Sequence, residues 1–510
     1  MANTINIPKT HLIMGLSLPL AVLIGYFLAE PLELGSVAVV TGVLGVLCIP
    51  LLLRWYYPML VFCWNAALNP AILPGRPSMA AIMGLVGLGI AILTRAVNPK
   101  ARFISVPSLT RPMLVLAAVV ITTGLLTGGF GVRTLGSEHY GGSKYFGLLT
   151  AIAGYFVLTS QRIPSSRAGL YIALFFLSGI TCLGSELAIA LGPKFYFLLS
   201  IFSGDYATQE LASQQAVNAS LHRMGALCAV ASAIDLYLLA RFGLRGVLDL
   251  QRPWRLLLFL AALVLGLYGG FRSYVALLAL TFIVLFFVEG LHRTRYLPAL
   301  MAAALVAGAI ILPQGNKLPM AAQRALSFLP GRFDPIAVEN AAATLEWRLI
   351  MWRQVWPEVP AHLFRGKGYA LDPTDLFLAG ESGRRFSSEA LSGTIIAGDY
   401  HNGPLSILLP FGIYGMIAFL WLLLAGMRVM YRNYKFGNPD YRSVNALILA
   451  AFAAHAFYFF TGFGSLFSDM AFFAGMLGMS VALNGAEPSL LPQAEKPDVE
   501  AALNTEYIRA

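Results

Sequence analysis

Residues 253–290 read PWRLLLFLAALVLGLYGGFRSYVALLALTFIVLFFVEG. Two long apolar runs flank one short break, Gly269-Gly270-Phe271-Arg272-Ser273. Each run is continuously apolar rather than alternating, and each approaches the roughly 20 residues that carry a helix across a hydrocarbon core of ~30 Å. A barrel strand would alternate apolar and polar positions. The stretch therefore predicts a hairpin of membrane-spanning helices, in which every backbone polar group is satisfied within its own segment.

The same pattern extends in both directions. Candidate spans fall at 11–28, 35–53, 55–70, 78–94, 112–130, 145–160, 167–184, 224–241, 253–271, 273–290, 296–313, 402–427, 443–462 and 464–483. The expected fold is an all-α membrane protein with about 12–14 transmembrane helices and one large outward loop containing short helices. Four regions follow: helices with short loops over 1–313, the outward loop over 314–400, C-terminal helices over 401–484 and a disordered cytoplasmic tail over 485–510. Glu30-Pro31-Leu32-Glu33 follows the first run where a cleavage site would need small residues, so that run reads as an uncleaved span.

Composition agrees with this class. Of 510 residues, 58% are hydrophobic and 12% charged, about half the charge of a soluble domain. The net charge of +10 does not mark a nucleic-acid binder, because the cations sit in short loops and not on a polar domain. With the N-terminus placed in the cytoplasm, the inward loops carry 17 Lys and Arg and the short outward loops four. That asymmetry sets the orientation. Cys48, Cys63, Cys182 and Cys228 lie in or beside apolar runs and read as small buried hydrophobes.

Two outward segments are long. One, about 185–223, contains the apolar stretch Phe195–Phe202, a candidate re-entrant or interfacial helix. The other, about 314–400, balances nine Lys/Arg against nine Asp/Glu and is expected to fold into a small cap. Within it Ala341–Trp356 reads as a helix ending at Pro357, with Leu345, Leu349, Trp352 and Trp356 as one stripe for the bilayer surface.

Chemistry-bearing residues gather at the outward end. His401, where the large loop meets the next span, either takes a proton near neutral pH or simply caps the helix. Arg272 stands at a depth where a cation needs water, a lipid headgroup or an anionic ligand, and Arg223 raises the same question. Arg348, in the loop helix, is either a solvated surface arginine or a match for phosphate oxygens. Gly366-Lys367-Gly368 is too short for a Walker-type phosphate loop. Glu30 and Glu33 find no further ligand for a metal, and no Ser-His-Asp or paired-carboxylate arrangement emerges.

His401-Asn402, nine residues, then Gly412-Ile413-Tyr414-Gly415 resembles the family of O-antigen ligases and O-antigen or exopolysaccharide polymerases. Gly270-Phe271-Arg272-Ser273 is similar to the family's arginine at the outward end of a span. Trp347–Trp352 followed by Gly366-Lys367-Gly368 is similar to its Arg…Trp…Gly-x-Gly stretch. The sequence departs from that pattern in Phe271 before the arginine and in Lys367 between the glycines. The resemblance covers about 215–425.

It implies a polytopic inner-membrane glycosyltransferase with its active site facing the periplasm. Such an enzyme moves a glycan from an undecaprenyl-diphosphate carrier to an acceptor sugar hydroxyl. His401 would then be the catalytic base, and Arg272, Arg348 and Arg223 would hold the donor diphosphate. Fixed cations offset the charge that develops on the leaving diphosphate, so the expected transfer is inverting, metal-independent and free of cofactors. Partners are a lipid-diphosphate-linked glycan donor, a glycan or glycolipid acceptor and membrane lipids, with no nucleic acid. The rival is a secondary transporter of a small solute, which would carry its polar groups near the bilayer midplane.

Overall fold

The computed structural model describes residues 22, 25, 34–71, 73, 76–98, 103–130, 141–202, 223–371 and 394–486. Among them there are helices, turns and no strands; one isolated bridge pairs Leu68 with Phe202. The first expected span and the tail beyond Gly485-Ala486 lie largely outside the described residues.

The helices are α1 Leu34–Cys63, α2 Met79–Val97, α3 Pro107–Thr127, α4 Gly142–Leu158, α5 Ser165–Leu191 (partly 3-10), α6 Gly225–Val247, α7 Trp254–Tyr268, α8 Arg272–Val288 and α9 Tyr296–Ile311. The loop contributes α10 Met320–Leu326 and α11 Pro335–Val355. The chain then runs through α12 Gly403–Phe436, α13 Arg442–Thr461 and α14 Leu466–Asn484. Seven helices among the described residues are long and apolar enough to cross a membrane, and α7, α8 and α9 are shorter apolar helices.

One pair of expected spans is corrected. The segments 35–53 and 55–70 do not form a hairpin broken at Arg54, because α1 runs continuously through Arg54 and accommodates Pro50 and Pro58. The helix ends at Cys63, where Asn65 turns aside to donate its amide to Phe175 O at 2.7 Å. Trp64 Nε1–H donates to Ala471 O at 3.0 Å. Its indole fills the space that the missing side chains of Gly154 and Gly475 leave open, a close approach that small residues permit in helical membrane proteins. The segment Pro193–Ser200 is an exposed 3-10 helix, and Asn69 N and Ala71 N donate to Ile201 O and Ser200 O beside it.

At the bundle end away from the loop, Asn433, Asn445, Asn484 and Ser480 tie α12, α13 and α14 together by side-chain hydrogen bonds. Cys63, Cys182 and Cys228 are buried, as expected of small hydrophobes.

The loop helix starts earlier than expected, at Pro335, with the Asp334 carboxylate accepting from Ile336 N at 2.8 Å. Proline at the first helical position suits an N-terminus because its missing N–H would be unpaired there anyway. Three of the four stripe residues are exposed, as a bilayer-facing stripe requires, while Trp352 turns inward and donates to Tyr400 O. Ala337, Ala341, Met351 and Val355 are buried against the bundle, while Leu345, Leu349 and Trp356 stay exposed.

Candidate active site

The site forms where the loop helix lies across the ends of α8, α12 and the α13–α14 turn. His401 does not cap α12. That work falls to Asn402, whose side chain accepts from Leu405 N at 3.0 Å. His401 instead adopts a left-handed backbone, φ 49°, which costs a non-glycine residue on the order of 1–3 kcal/mol and recurs at functional positions. Its neighbours hold it there. Trp352 Nε1–H donates to Tyr400 O at 2.8 Å, and Lys144 donates to Ala397 O.

The imidazole packs between Trp347 and Phe463, with ring centroids 5.7 and 5.1 Å away. Nδ1 lies 3.4 Å from Asp399 Oδ1. A carboxylate on that side favours the tautomer with the proton on Nδ1, which leaves Nε2 as the basic nitrogen.

Arg348 reaches the same aromatic platform, its guanidinium carbon 5.2 Å from the Phe463 centroid. Its Nε and the Trp347 Nε1–H are buried without a hydrogen-bond partner among the described residues. Such orphaned donors are uncommon in native structures and call for an explanation. Burial pushes the Arg348 guanidinium below its ordinary value; Tyr458 opposes that shift, nearby Arg272 adds to it and Asp399 opposes it. Arginine nevertheless keeps its charge in proteins. Two cations close together in a half-buried place create a demand for an anion.

Arg272 Nη2 donates to Ala341 O at 2.6 Å. Ala341 and Arg348 are seven residues apart on one helix face, and side chains on a helix lean toward its N-terminus. Arg348 therefore leans toward Arg272, and Tyr458 lies close enough to bear on both. Arg223 is one step further along: its Nη2 is 3.4 Å from Asn340 Oδ1, and its guanidinium lies 6.0 Å from the Phe271 ring.

Sequence reasoning missed several supporting residues. Arg324, 4% exposed, donates to Gly270 O at 2.6 Å and to Asn340 Oδ1 at 2.8 Å, so it clamps the α7–α8 turn beneath α11 and fixes where Arg272 begins. Nothing around it in the sequence distinguishes it from a surface arginine. Asp469 accepts from His455 Nε2 at 3.0 Å and from Ser465 N at 2.8 Å, bracing the turn that presents Phe463. An acid inside an apolar run was the available signal.

The two glycine motifs meet one another. Gly412 breaks α12 at φ 64°, freeing carbonyls that accept from the Gly366–Gly368 turn: Lys367 N donates to Leu409 O at 2.7 Å and Gly368 N to Pro410 O at 3.0 Å. Ile413 N returns a bond to Leu363 O at 2.7 Å. Gly366 and Gly368 also have positive φ, so these glycines shape the joint between loop and bundle and do not cradle phosphate. A Cβ at Gly412 would lie 2.4 Å from Leu363 O. Gly412→Ala is expected to cost about 2 kcal/mol or more, read as a lower melting temperature of the detergent-solubilised protein.

A comparison with family models speaks to this same stretch of chain. Residues 256–420 match the O-antigen ligase family. The O-antigen ligase match begins inside α7 and ends inside α12, so it takes in Arg272, Arg324, Arg348 and His401 and leaves Arg223 outside. No curated protein matches the chain. The O-antigen ligase region and the membrane-spanning helices together support a membrane glycosyl-transfer enzyme.

Proposed function

We propose that this chain is an inner-membrane glycosyltransferase of the O-antigen ligase or polysaccharide polymerase type. It takes a glycan from an undecaprenyl-diphosphate carrier on the periplasmic face and passes it to an acceptor sugar hydroxyl. One observation carries the reading: His401, Arg348 and Arg272, far apart in sequence, converge beneath one loop helix around Phe463 and Tyr458. That clustering at one end of the bundle favours transfer over solute transport, which places its polar groups near the midplane.

In the proposed step the acceptor oxygen attacks the anomeric carbon while His401 Nε2 takes its proton. The bond from that carbon to the diphosphate oxygen breaks, and the electron pair leaves with the lipid diphosphate. Arg272 and Arg348 offset the charge that builds on the diphosphate, with Arg223 in reserve behind them. A single displacement of this kind inverts the anomeric centre. With two guanidiniums supplying the positive charge, a divalent cation has no required part. Ligase and polymerase differ in the acceptor alone, and the same residues serve both.

The test is glycan transfer by purified protein in detergent from a lipid-diphosphate donor, with and without EDTA. The expected result is transfer that EDTA leaves unchanged and a product of inverted configuration. Transfer abolished by EDTA and restored by a divalent cation would overturn the charge assignment.

A further inference from the structure

A cavity lies at the opposite end of the bundle from the His401 cluster. Tyr145, near the start of α4, faces Tyr369 in the loop, so Leu158 at the other end of that helix lies away from the loop. There Tyr57 of α1, 2% exposed, donates to Leu158 O at 2.9 Å and comes within 3.4 Å of Gln161 O. Its ring also meets Tyr171 of α5 edge-on, centroids 5.6 Å apart. These contacts tie the α4–α5 connection to α1 beside an open cavity of about 470 Å³, within the range of sites that bind small ligands.

The lining is divided by chemistry. Arg54, Arg162 and Arg167 supply three guanidiniums, no carboxylate lines the cavity among the described residues, and Leu53, Trp55 and Tyr171 give an apolar and aromatic wall. Arg54 sits 6.0 Å from the Trp55 ring centroid. Guanidinium forks match phosphate oxygens, and tryptophan and tyrosine favour the boundary between headgroups and acyl chains. A soluble anion has no use for the apolar wall, whereas an amphipathic anion uses both halves. We propose that this cavity binds the phosphodiester headgroup of an anionic phospholipid, with the start of its acyl chains against Trp55 and Leu53. Basic pockets between spanning helices on the cation-rich side of a membrane protein hold such headgroups. The site is separate from the His401 cluster and does not depend on glycosyl transfer.

Delipidated protein in neutral detergent should be mixed with phosphatidylglycerol or phosphatidylcholine of matched acyl chains, and retained lipid read by native mass spectrometry. The expected result is a preference of roughly tenfold or more for phosphatidylglycerol. Arg162→Gln with Arg167→Gln should abolish it, Arg54→Gln should weaken it, and the lipid-free melting temperature should stay unchanged because all three side chains are exposed. Equal retention of the two lipids, or an unchanged preference in the double variant, would overturn the proposal. Displacement of phosphatidylglycerol by millimolar inorganic phosphate would also overturn it, by assigning the cavity to a soluble anion.

Discussion

His401→Ala should lower glycan transfer by about 10²–10⁴-fold while leaving the protein folded. That range is what a positioned general base contributes, and the fold should survive because Asn402 carries the helix cap. Alanine disfavours positive φ at least as much as histidine does, so the substitution relieves no backbone strain and adds little. The melting temperature should therefore move little. The contrast is Asn402→Ala, which deletes the cap bond to Leu405 N and should cost about 1 kcal/mol of stability with a smaller effect on turnover. Comparing initial rates and melting temperatures of the two variants separates chemistry from structure. A folded His401→Ala protein that transfers at the wild-type rate would remove histidine from the mechanism.

Arg348→Lys should reduce kcat by roughly 10²–10³-fold, the scale of losing one preorganised charge-stabilising donor. The substitution keeps the charge but replaces a planar fork with a compact ammonium that cannot hold two phosphate oxygens in one plane. It also withdraws the guanidinium from the Phe463 face. Arg348→Ala should be at least as damaging. Arg272→Lys should behave similarly, with an added loss of order because its Nη2 also holds α11 through Ala341 O. Steady-state rates against donor concentration check this. A pure rise in KM at unchanged kcat would mean that Arg348 binds the donor without easing its departure.

The membrane-spanning architecture was legible because a bilayer imposes one rule on every span: continuous apolar helix with cations in the loops. Helices such as Gly225–Val247 and Leu466–Asn484 lie where their apolar runs predict. Arg54 misled the reading because a lone arginine in an apolar stretch looks like a loop, yet a long side chain at a helix surface escapes to the boundary without breaking the helix. The docking face of α11 was not legible, for a different reason. Tryptophan and leucine mark an apolar stripe, but small Ala337 and Ala341 permit the close packing that docks the helix.

At the site, His401, Arg272 and Arg348 were readable one by one, since each stands out against apolar surroundings. Their convergence followed only from the transfer reading and not from the residues themselves, because it depends on how α11 folds back over a turn 69 residues earlier in the chain, where Arg272 meets Ala341. Arg324 and Tyr458 were invisible for the same reason: their roles come from partners distant in sequence.

Affinity for the product half of the donor, a polyprenyl diphosphate without glycan, tests the central claim most directly. It should be measured by thermophoresis in EDTA for the wild type and for Arg348→Ala, Arg272→Ala and His401→Ala. The account predicts binding by the wild type, near-equal binding by His401→Ala and a loss of about tenfold or more in each arginine variant. Arginine variants that bind the lipid diphosphate as tightly as the wild type would contradict it.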